Sequence, residues 1–291
     1  MEKLHQPVLL SEVLAVLQPK PGESYLDLTA GYAGHASKIL DVTRNYKDSV
    51  LVDRDQNAVR FLEERFASVP IRIEHKDFYS AVLQEIECGK TFDMILMDFG
   101  VSSPQLDEAE RGFSFAKDGP LDMRMDQEQG LDAERIVNHW SERDLAGILE
   151  DYGEVKPGLA KLIAREICHG RPWRSTKELG DRMAKFGRHG KVHPATRIFQ
   201  AIRIAVNDEL GEIEKTLELI PKVLKPGGRV AAITFHSLED RLVKEWMRRE
   251  VSFGEESRLE ILTKKPITAG NEELFINPRA RSAKLRAAEK R

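Results

Sequence analysis

The chain has 291 residues, of which 41% are hydrophobic and 32% are charged, which is the composition of a soluble globular protein with one large domain or two unequal ones. It contains no apolar run of the roughly 20 residues that a membrane helix needs, no basic cluster leading into an apolar leader, and only two cysteines, without metal-ligand companions. These features predict a cytoplasmic protein with no membrane span, no metal site and no disulfide.

The charged residues are distributed unevenly along the chain. The net charge is −3, yet residues 104–154 hold 14 Asp/Glu against 5 Lys/Arg, residues 161–203 hold 3 against 11, and residues 279–291 hold 6 Lys/Arg against 1 Glu. Two basic zones on a mildly acidic protein are compatible with a phosphate-binding face and equally with solvated helix faces. Charge alone leaves both interpretations open.

The first hundred residues alternate short apolar runs with helical patterns. Ser11 is predicted to cap a short first helix that ends before Pro19. Apolar runs then predict strands at 24–29, 50–53, 71–73 and 93–97, the first three each followed by a helical pattern. The runs do not alternate with polar residues, which is typical of parallel strands buried on both faces.

The alternation stops after residue 104. Residues 105–190 show helical patterns and no convincing strand, and a long amphipathic pattern at 195–224 is predicted to be kinked or interrupted at Pro221. A strand at 229–235, a helix capped by Ser237, and strands at 259–262 and 283–285 complete the sheet. We therefore predict a discontinuous sheet domain at 1–104 and 200–291, and an inserted helical domain at 105–199.

A glycine turn follows the first strand, and an acid ends the second. The turn at 27–35, Asp-Leu-Thr-Ala-Gly-Tyr-Ala-Gly-His, lets the backbone approach a ligand, and Asp53 can accept both ribose hydroxyls of an adenosine cofactor. The spacing differs from the Gly-x-Gly-x-x-Gly of dinucleotide enzymes and favours S-adenosylmethionine, which has no pyrophosphate. The alternative is a tight turn and a helix-capping acid.

Asp98 stands where the fourth apolar run stops. Ligands of open parallel sheets bind outside the carboxyl ends of the strands, and Gly100 and Pro104 predict a loop after Asp98 rather than a helix start. The alternative is that Asp98 caps a following helix. His236 at a neighbouring strand end and Asn277 are further catalytic candidates, with helix caps or loop anchors as the alternative.

These residues resemble the bacterial 16S ribosomal RNA cytosine-N4 methyltransferases, the RsmH or MraW family. The resemblance covers almost the whole chain and rests on segments 5–10, 27–35, 53–55, 98–105, 111–115, 119–126, 193–197, 235–241 and 277–286. It implies a Rossmann-like class I S-adenosylmethionine-dependent methyltransferase sheet with a helical insertion domain. It also implies S-adenosylmethionine as cofactor and, as substrate, a decoding-centre cytosine of 16S ribosomal RNA, in free RNA or within the small ribosomal subunit.

The resemblance assigns cofactor contacts by position. The residues carried over are Ala33, Gly34, His35, Asp53, Phe78, Asp98 and Gln105. Without the family match, a lone Phe such as Phe78 is more often part of a core than an adenine stacker. The chain departs from the family at Ala33 and Ala36, where the family usually has Gly and Ser or Thr, and at Val155, where it has Glu.

Methyl transfer to an exocyclic amine depends mainly on positioning. A group that accepts hydrogen bonds from the amine N–H groups would make the nitrogen more nucleophilic. Asp98 is the first candidate for this acceptor. The alternative is that Asp98 holds the methionine amine of the cofactor. The insertion and the basic tail, with Arg279, Arg281 and Arg286, are predicted to face RNA. A nicotinamide-dependent oxidoreductase and a non-catalytic RNA-binding protein are the competing functions, and the oligomeric state stays open between monomer and homodimer.

Overall fold

The computed structural model describes residues 7–187, 193–251 and 258–291. His5 and Gln6 of the first family segment, and Arg188 and Lys191 of the basic zone, lie outside the described residues. Two compact units make up the chain: a sheet unit of Met1–Gly100 with Leu210–Arg291, and a helical unit of Val101–Glu209. Within the described ranges no helix has both the length and the apolarity needed to cross a membrane.

The strands and helices are numbered in chain order. The strands are β1 (Tyr25–Asp27), β2 (Val50–Asp53), β3 (Arg72–His75), β4 (Phe92–Asp98), β5 (Leu224–Thr234), β6 (Leu259–Ile261) and β7 (Lys284–Lys290). The helices are α1 (Leu10–Leu17), α2 (Gly34–Thr43), α3 (Gln56–Arg65), α4 (Phe78–Glu87), α5 (Ser103–Asp107), α6 (Ala133–His139), α7 (Glu142–Asp151), α8 (Pro157–His169), α9 (Thr176–Met183), α10 (Pro194–Asn207), α11 (Glu209–Val223), α12 (Ser237–Val251) and α13 (Asn271–Ile276).

The described part of the sheet unit forms a seven-stranded sheet in the order β3-β2-β1-β4-β5-β7-β6. Strands β1 to β5 run parallel, and β7 is antiparallel to both β5 and β6. Consecutive residues of one strand enter different apolar clusters: Leu26 and Val52 pack into one, and Tyr25 and Leu51 into the other. Both faces of the sheet are therefore buried, and the predicted Rossmann-like fold of class I methyltransferases is confirmed.

The helical unit has its own apolar core. Its regular elements in the described residues are the helices α5 to α10 and two short 3₁₀ turns. Ile136, Leu145, Ile163, Leu179 and Ile198 are each at most 2% exposed and come from five different helices. Because these apolar positions recur at helical spacing, packing helix against helix is enough to bury them without a sheet.

Three helix boundaries differ from the predicted ones. Helix α1 starts at Leu10 after Leu9, which takes a left-handed conformation (φ 54°), so Ser11 lies inside the first turn and is not the cap. The amphipathic pattern at 195–224 is two helices that meet at Asp208, also left-handed (φ 48°). Pro221 lies inside α11, near its end. Asp tolerates the left-handed conformation that ends helices better than most residues do, and this possibility was missed.

The segment after Asp98 also differs from the prediction. Helix α5 begins at Ser103, so the predicted loop at 98–105 ends in a helical turn. Pro104 predicts a loop, but proline is also favoured in the first turn of a helix, where its missing N–H would have no intrahelical partner. Helix α12 likewise begins at Ser237, so this residue is helical and the cap position belongs to His236.

Candidate functional site

Three acids end three neighbouring strands of the sheet unit. Strand β1 pairs in parallel with β2 on one side and with β4 on the other, and the strands end at Asp27, Asp53 and Asp98. Parallel strands present their carboxyl ends at the same edge, so the three acids lie at one edge of the sheet. This edge is where the sequence predicted ligand binding.

The glycine turn after β1 is tied to both neighbouring strand ends. The backbone N–H of Gly31 donates to Oδ2 of Asp53 at 2.7 Å, and the backbone N–H of Asp98 donates to Oγ1 of Thr29 at 2.6 Å. A Cβ on Gly34 would lie 3.0 Å from Cβ of Pro7, which explains the absence of a side chain there. Ala33 caps α2 in a left-handed conformation (φ 61°) that glycine adopts with less strain.

His35 lies at the start of α2 and is buried. Its Nε2 is 2.8 Å from the carbonyl oxygen of Val8, so Nε2 carries the hydrogen and donates it. Its Nδ1 then lies 3.7 Å from Oδ2 of Asp98. His35 therefore connects the N-terminal segment to the acid at the end of β4.

Asp98 has the least satisfied carboxylate of the three. Its Oδ1 is buried and has no hydrogen-bond partner among the described residues, and its Oδ2 has only the 3.7 Å contact with His35. Burial, and then the nearby charges of Asp27 and Glu239, raise the pKa of Asp98 well above its ordinary value. A donor or a cation supplied by a ligand would satisfy this oxygen and lower that pKa.

Asp27 and Asp53 are satisfied within the protein. The hydroxyl of Tyr25 donates to Oδ2 of Asp27 at 2.6 Å, and the backbone N–H of Thr29 donates to Oδ1 at 3.1 Å. Asp53 accepts the N–H of Gly31 on one oxygen and that of Asp55 on the other, at 2.8 Å. Burial raises the pKa of Asp27 to about 7 and that of Asp53 to about 6, against hydrogen bonds that lower both.

Phe78 is the first residue of α4. Its ring is half-buried and meets the ring of Phe99 edge-on, with centroids 6.0 Å apart. Asp77, which precedes it, caps α4 by accepting hydrogen bonds from the backbone N–H and the hydroxyl of Ser80. The ring of Phe78 packs partly against the core and is partly exposed to solvent. Its stacking on adenine stays a prediction.

His236 is held by its own helix. Its Nδ1 accepts the backbone N–H of Glu239 at 3.4 Å, which leaves the hydrogen on Nε2, 3.0 Å from Oε1 of Glu239. The other carboxylate oxygen of Glu239 accepts the backbone N–H groups of Phe235 and His236. The Nδ1 contact fits the helix-cap alternative, whereas the buried Nε2 makes no hydrogen bond with any described residue, so the catalytic role of His236 stays a prediction.

The residues predicted to face RNA separate into two groups. Arg279 and Arg281 are exposed on the 3₁₀ turn Pro278–Ser282. Arg286 lies on β7, is 7% exposed, and donates through Nε to Oδ1 of Asp240 at 2.7 Å. This burial argues against a phosphate contact by Arg286, because such a contact would break the Arg286 bond and leave Asp240 with only the 3.2 Å contact from Nζ of Lys284.

Asn277 and Gln105 have local structural roles. Asn277 ends α13, with its backbone N–H donated to the carbonyl of Glu273. Gln105, in the helical unit, forms a capping box with Ser102: its Oε1 accepts the Ser102 N–H at 2.9 Å, and its own N–H donates to the Ser102 hydroxyl. Their predicted contacts with substrate and cofactor stay predictions.

Sequence reasoning missed three residues whose side chains bond at this edge of the sheet. Tyr25, Thr29 and Glu239 each bond to an edge residue, as described above. Thr29 carried a signal, since a hydroxyl in a turn directly after a strand is placed to bond a neighbouring strand end. Tyr25 and Glu239 carried none, because an aromatic residue in a strand and an acid in a first helical turn are ordinary in those positions.

The chain is similar to known proteins over nearly its full length. The model of the MraW methylase family matches residues 2–291. The Ribosomal RNA small subunit methyltransferase H of Synechocystis sp. is 47% identical over 295 residues, covering 98% of this chain and 93% of that protein. Its namesake from Acidobacterium capsulatum is 44% identical over 298 residues, covering 99% and 98%. Among solved structures, that of TrmN from Thermus thermophilus gives a TM-score of 0.44 at 12% identity, over 97% of this chain and 48% of that one.

Proposed function

Because the chain belongs to the MraW methylase family, we propose that it methylates the N4 amine of a decoding-centre cytosine in 16S ribosomal RNA, using S-adenosylmethionine. The observation that carries the proposal is the buried oxygen of Asp98 at the end of β4, which has no hydrogen-bond partner in the described residues. The names of the relatives supply the small-subunit ribosomal RNA.

S-adenosylmethionine is the cofactor of this methyltransferase. The residues at the edge of the sheet unit fit it, because the cofactor carries positive charge on its sulfonium and amine and three acids meet at that edge. Asp53 accepts the hydrogen bonds of the ribose hydroxyls in this proposal. Each of its carboxylate oxygens accepts one backbone N–H and has a second lone pair for a hydroxyl. The turn at Ala33, Gly34 and His35 is the backbone that approaches the cofactor.

The bound cofactor supplies an activated methyl group, and the protein has to position the accepting amine. The N4 lone pair of cytosine is delocalised into the ring, so an acceptor for its N–H bonds favours the more nucleophilic nitrogen. Asp98 is that acceptor, through its unsatisfied Oδ1. As the N–C bond forms, the S–CH3 bond would break to leave a neutral thioether, and the methylated amine would give its extra proton to solvent. In structured RNA the base is stacked or paired, so it is extruded from the helix to reach Asp98.

The proposal is tested by locating the methyl group. The protein is incubated with labelled S-adenosylmethionine and one of two substrates, an unmodified 16S ribosomal RNA transcript or small ribosomal subunits whose RNA lacks the N4 methyl group. The RNA is then digested to nucleosides for mass spectrometry. We expect label in N4-methylcytidine, at one position. Label only on carbon 5 of cytosine or on a ribose hydroxyl would contradict the proposed amine acceptor, and label in neither RNA would contradict the substrate.

The helical unit and the exposed arginines of the tail are proposed to contact the RNA backbone. Replacing Arg279 and Arg281 with Ala should weaken RNA binding and reduce the slope of log affinity against log salt, by about 0.7 to 0.9 for each lost phosphate contact. Arg60→Ala, an exposed arginine on α3, is the matched control and should leave the slope unchanged. An unchanged slope in the double variant would mean that Arg279 and Arg281 are solvated and do not contact phosphates.

A further inference from the structure

Phe275 is the most exposed of the large apolar side chains in the described residues. Its side chain is 90% exposed and that of Ile276 is 64% exposed, whereas the preceding Leu274 packs against the apolar cluster of the sheet unit. Leu274 therefore anchors α13, and the ring of Phe275 contributes nothing to the core. A single exposed phenyl ring is ordinary on a protein surface. The position of Phe275 in the fold and the charges near it in the sequence indicate a function for the ring.

The position of α13 follows from the strand register. Strand β7 is antiparallel, and its first residue, Lys284, pairs with Thr234, the last residue of β5. The segment 271–283 directly precedes β7, so it lies at the edge where the parallel strands end. This is the edge that carries Asp27, Asp53 and Asp98.

Two hydrogen bonds connect α13 to the cofactor residues. Oε1 of Glu273 accepts the backbone N–H of Leu9 at 2.7 Å, and the carbonyl of Val8 accepts Nε2–H of His35 at 2.8 Å. Phe275 lies two residues beyond Glu273. These contacts hold α13 at this edge, and because residues two apart lie on nearly opposite sides of a helix, the ring of Phe275 points away from Leu9 into solvent.

The charge along the segment 264–281 is predominantly basic, with four Lys/Arg against two Glu. Arg279 and Arg281 are exposed within six residues of Phe275, and Lys264 and Lys265 are exposed between β6 and β7. The acids of α13 are the exposed Glu272 and the half-buried Glu273, whose carboxylate is engaged with Leu9. An aromatic ring flanked by exposed guanidinium groups is the combination with which proteins hold unpaired nucleotides, through base stacking and phosphate contacts.

We propose that Phe275 is a stacking platform for an unpaired base of the RNA substrate, next to the base that is methylated. The proposal rests on the proposed RNA substrate and adds a specificity: the nucleotide beside the target must be single-stranded or unstacked. Arg279 and Arg281 hold the phosphates of the same strand. Stacking tolerates any base because every base has a π-face, so Phe275 selects for an open strand rather than for a sequence.

The first test uses binding alone. Phe275→Trp places a fluorescent ring at the position, and titration with unmodified 16S ribosomal RNA transcript should quench its emission beyond the change seen in the wild-type protein. The three native tryptophans are present in both proteins and cancel in the comparison. A fully double-stranded RNA of the same length should leave the emission of the introduced ring unchanged.

The second test separates stacking from other contacts. Phe275→Ala should lower kcat/KM for RNA by about five- to a hundredfold, the range that a lost base stack produces, mainly by raising KM. Phe275→Tyr should recover activity to within about twofold, whereas Phe275→Leu should stay near the Ala variant. Val42→Ala, another exposed apolar side chain of the sheet unit, on α2, is the control and should not change kcat/KM.

Four outcomes would overturn the proposal. They are equal activity of the Ala variant and the wild type, full activity of the Leu variant, absence of quenching in the Trp variant, and a change from dimer to monomer on sedimentation of the Ala variant. The last would make the face an interface between copies of the chain. If the wild type fails to methylate the RNA, the proposed function falls, and the quenching experiment still decides whether the ring meets bases.

Discussion

The ends of β2 and β4 lie on either side of β1, and each carries an aspartate, but the two carboxylates differ in what they are bonded to. Asp53 accepts a backbone N–H on each oxygen, from Gly31 and from Asp55. Asp98 has a buried oxygen with no partner in the described part of the chain, and a 3.7 Å contact with His35 on the other. Burial raises the pKa of both.

This difference indicates separate tasks. A carboxylate that two backbone groups hold has a fixed direction, and it also holds the glycine turn in place, so Asp53 suits the recognition of a fixed ligand group such as a ribose. A buried carboxylate oxygen without a donor is costly for the free protein, and the cost is recovered when a ligand supplies the donor. Asp98 therefore suits the group that changes during the reaction.

The arginines of the tail show the same contrast. Arg286 is buried and bonded to Asp240, whereas Arg279 and Arg281 are exposed a few residues earlier. A single basic run thus contains one arginine that holds β7 to α12 and two that face solvent. Counting charges along the sequence treats all three alike.

The largest effect is expected from Asp53→Ala. It should weaken S-adenosylmethionine binding by about 1.5 to 3 kcal/mol, since charge-assisted hydrogen bonds to the ribose are lost, as measured by calorimetry. Thermal unfolding of the variant checks whether the loss of the Gly31 bond has unfolded the turn. Unchanged affinity in a folded variant would remove Asp53 from the cofactor site.

Asp98→Asn tests the other side of the comparison. The neutral side chain keeps the shape, so we expect the single-turnover methylation rate at saturating cofactor to fall by about tenfold or more, about 1.4 kcal/mol in the barrier. Cofactor affinity, measured by calorimetry, should change much less. If affinity falls and the rate at saturation does not, Asp98 binds the cofactor and has no part in the chemistry.

The raised pKa values predict a pH dependence of cofactor binding. With a pKa of about 6, Asp53 holds a proton in the free protein below that pH, and only the ionised form makes charge-assisted bonds to the ribose. Affinity should therefore fall as the pH drops from about 7 to about 5, by at most tenfold per pH unit. Calorimetry in two buffers of different ionisation enthalpy should show proton release on binding near pH 6.

Asp53→Asn is the control for that experiment. It should weaken binding at pH 7 and flatten the pH dependence, since the titrating group is gone. A profile as steep as that of the wild type would assign the titration to another acid at this edge, Asp27 or Asp98.

The sequence predicted the fold and the strand-end positions of Asp53 and Asp98 because their signals are local, whereas Asp27, which ends β1, falls inside the strand predicted at 24–29. Unbroken apolar runs such as Met94–Met97 can be buried on both faces only in a parallel sheet, and an acid at the end of such a run has little reason to be there except a ligand or a cap. Two other bonds were not predictable, because they join residues far apart: the backbone N–H of Asp98 to Thr29 across 69 positions, and Arg286 to Asp240 across 46.

The errors at helix ends have a different cause. Leu9 and Asp208 take left-handed conformations that neither residue type requires, so the tertiary contacts around them decide the boundary. Pro104 and Ser237 carry signals that fit more than one position of a first turn, and the sequence does not choose between them.

The smallest effect is expected at Asp27, the third strand-end acid, which is fully bonded like Asp53 but buried more deeply. Burial raises its pKa to about 7, so the folded protein binds more protons than the unfolded chain between about pH 4 and pH 7. Its contribution to stability is complete below about pH 4 and is lost as the pH rises to 7. Asp27→Asn carries no such titration. Relative to the wild type, the variant should therefore gain about 1 kcal/mol between pH 6 and pH 8, or about 2 to 4 °C in Tm.

Thermal unfolding across this pH range measures the difference, with Asp48→Asn, an exposed acid before β2, as the control that should follow the wild type at every pH. Parallel curves for Asp27→Asn and the wild type would mean that Asp27 is already ionised at pH 6. In that case the bonds from Tyr25 and Thr29 stabilise a charged carboxylate, and Asp27 differs from Asp98 in that the buried Oδ1 of Asp98 has no partner among the described residues.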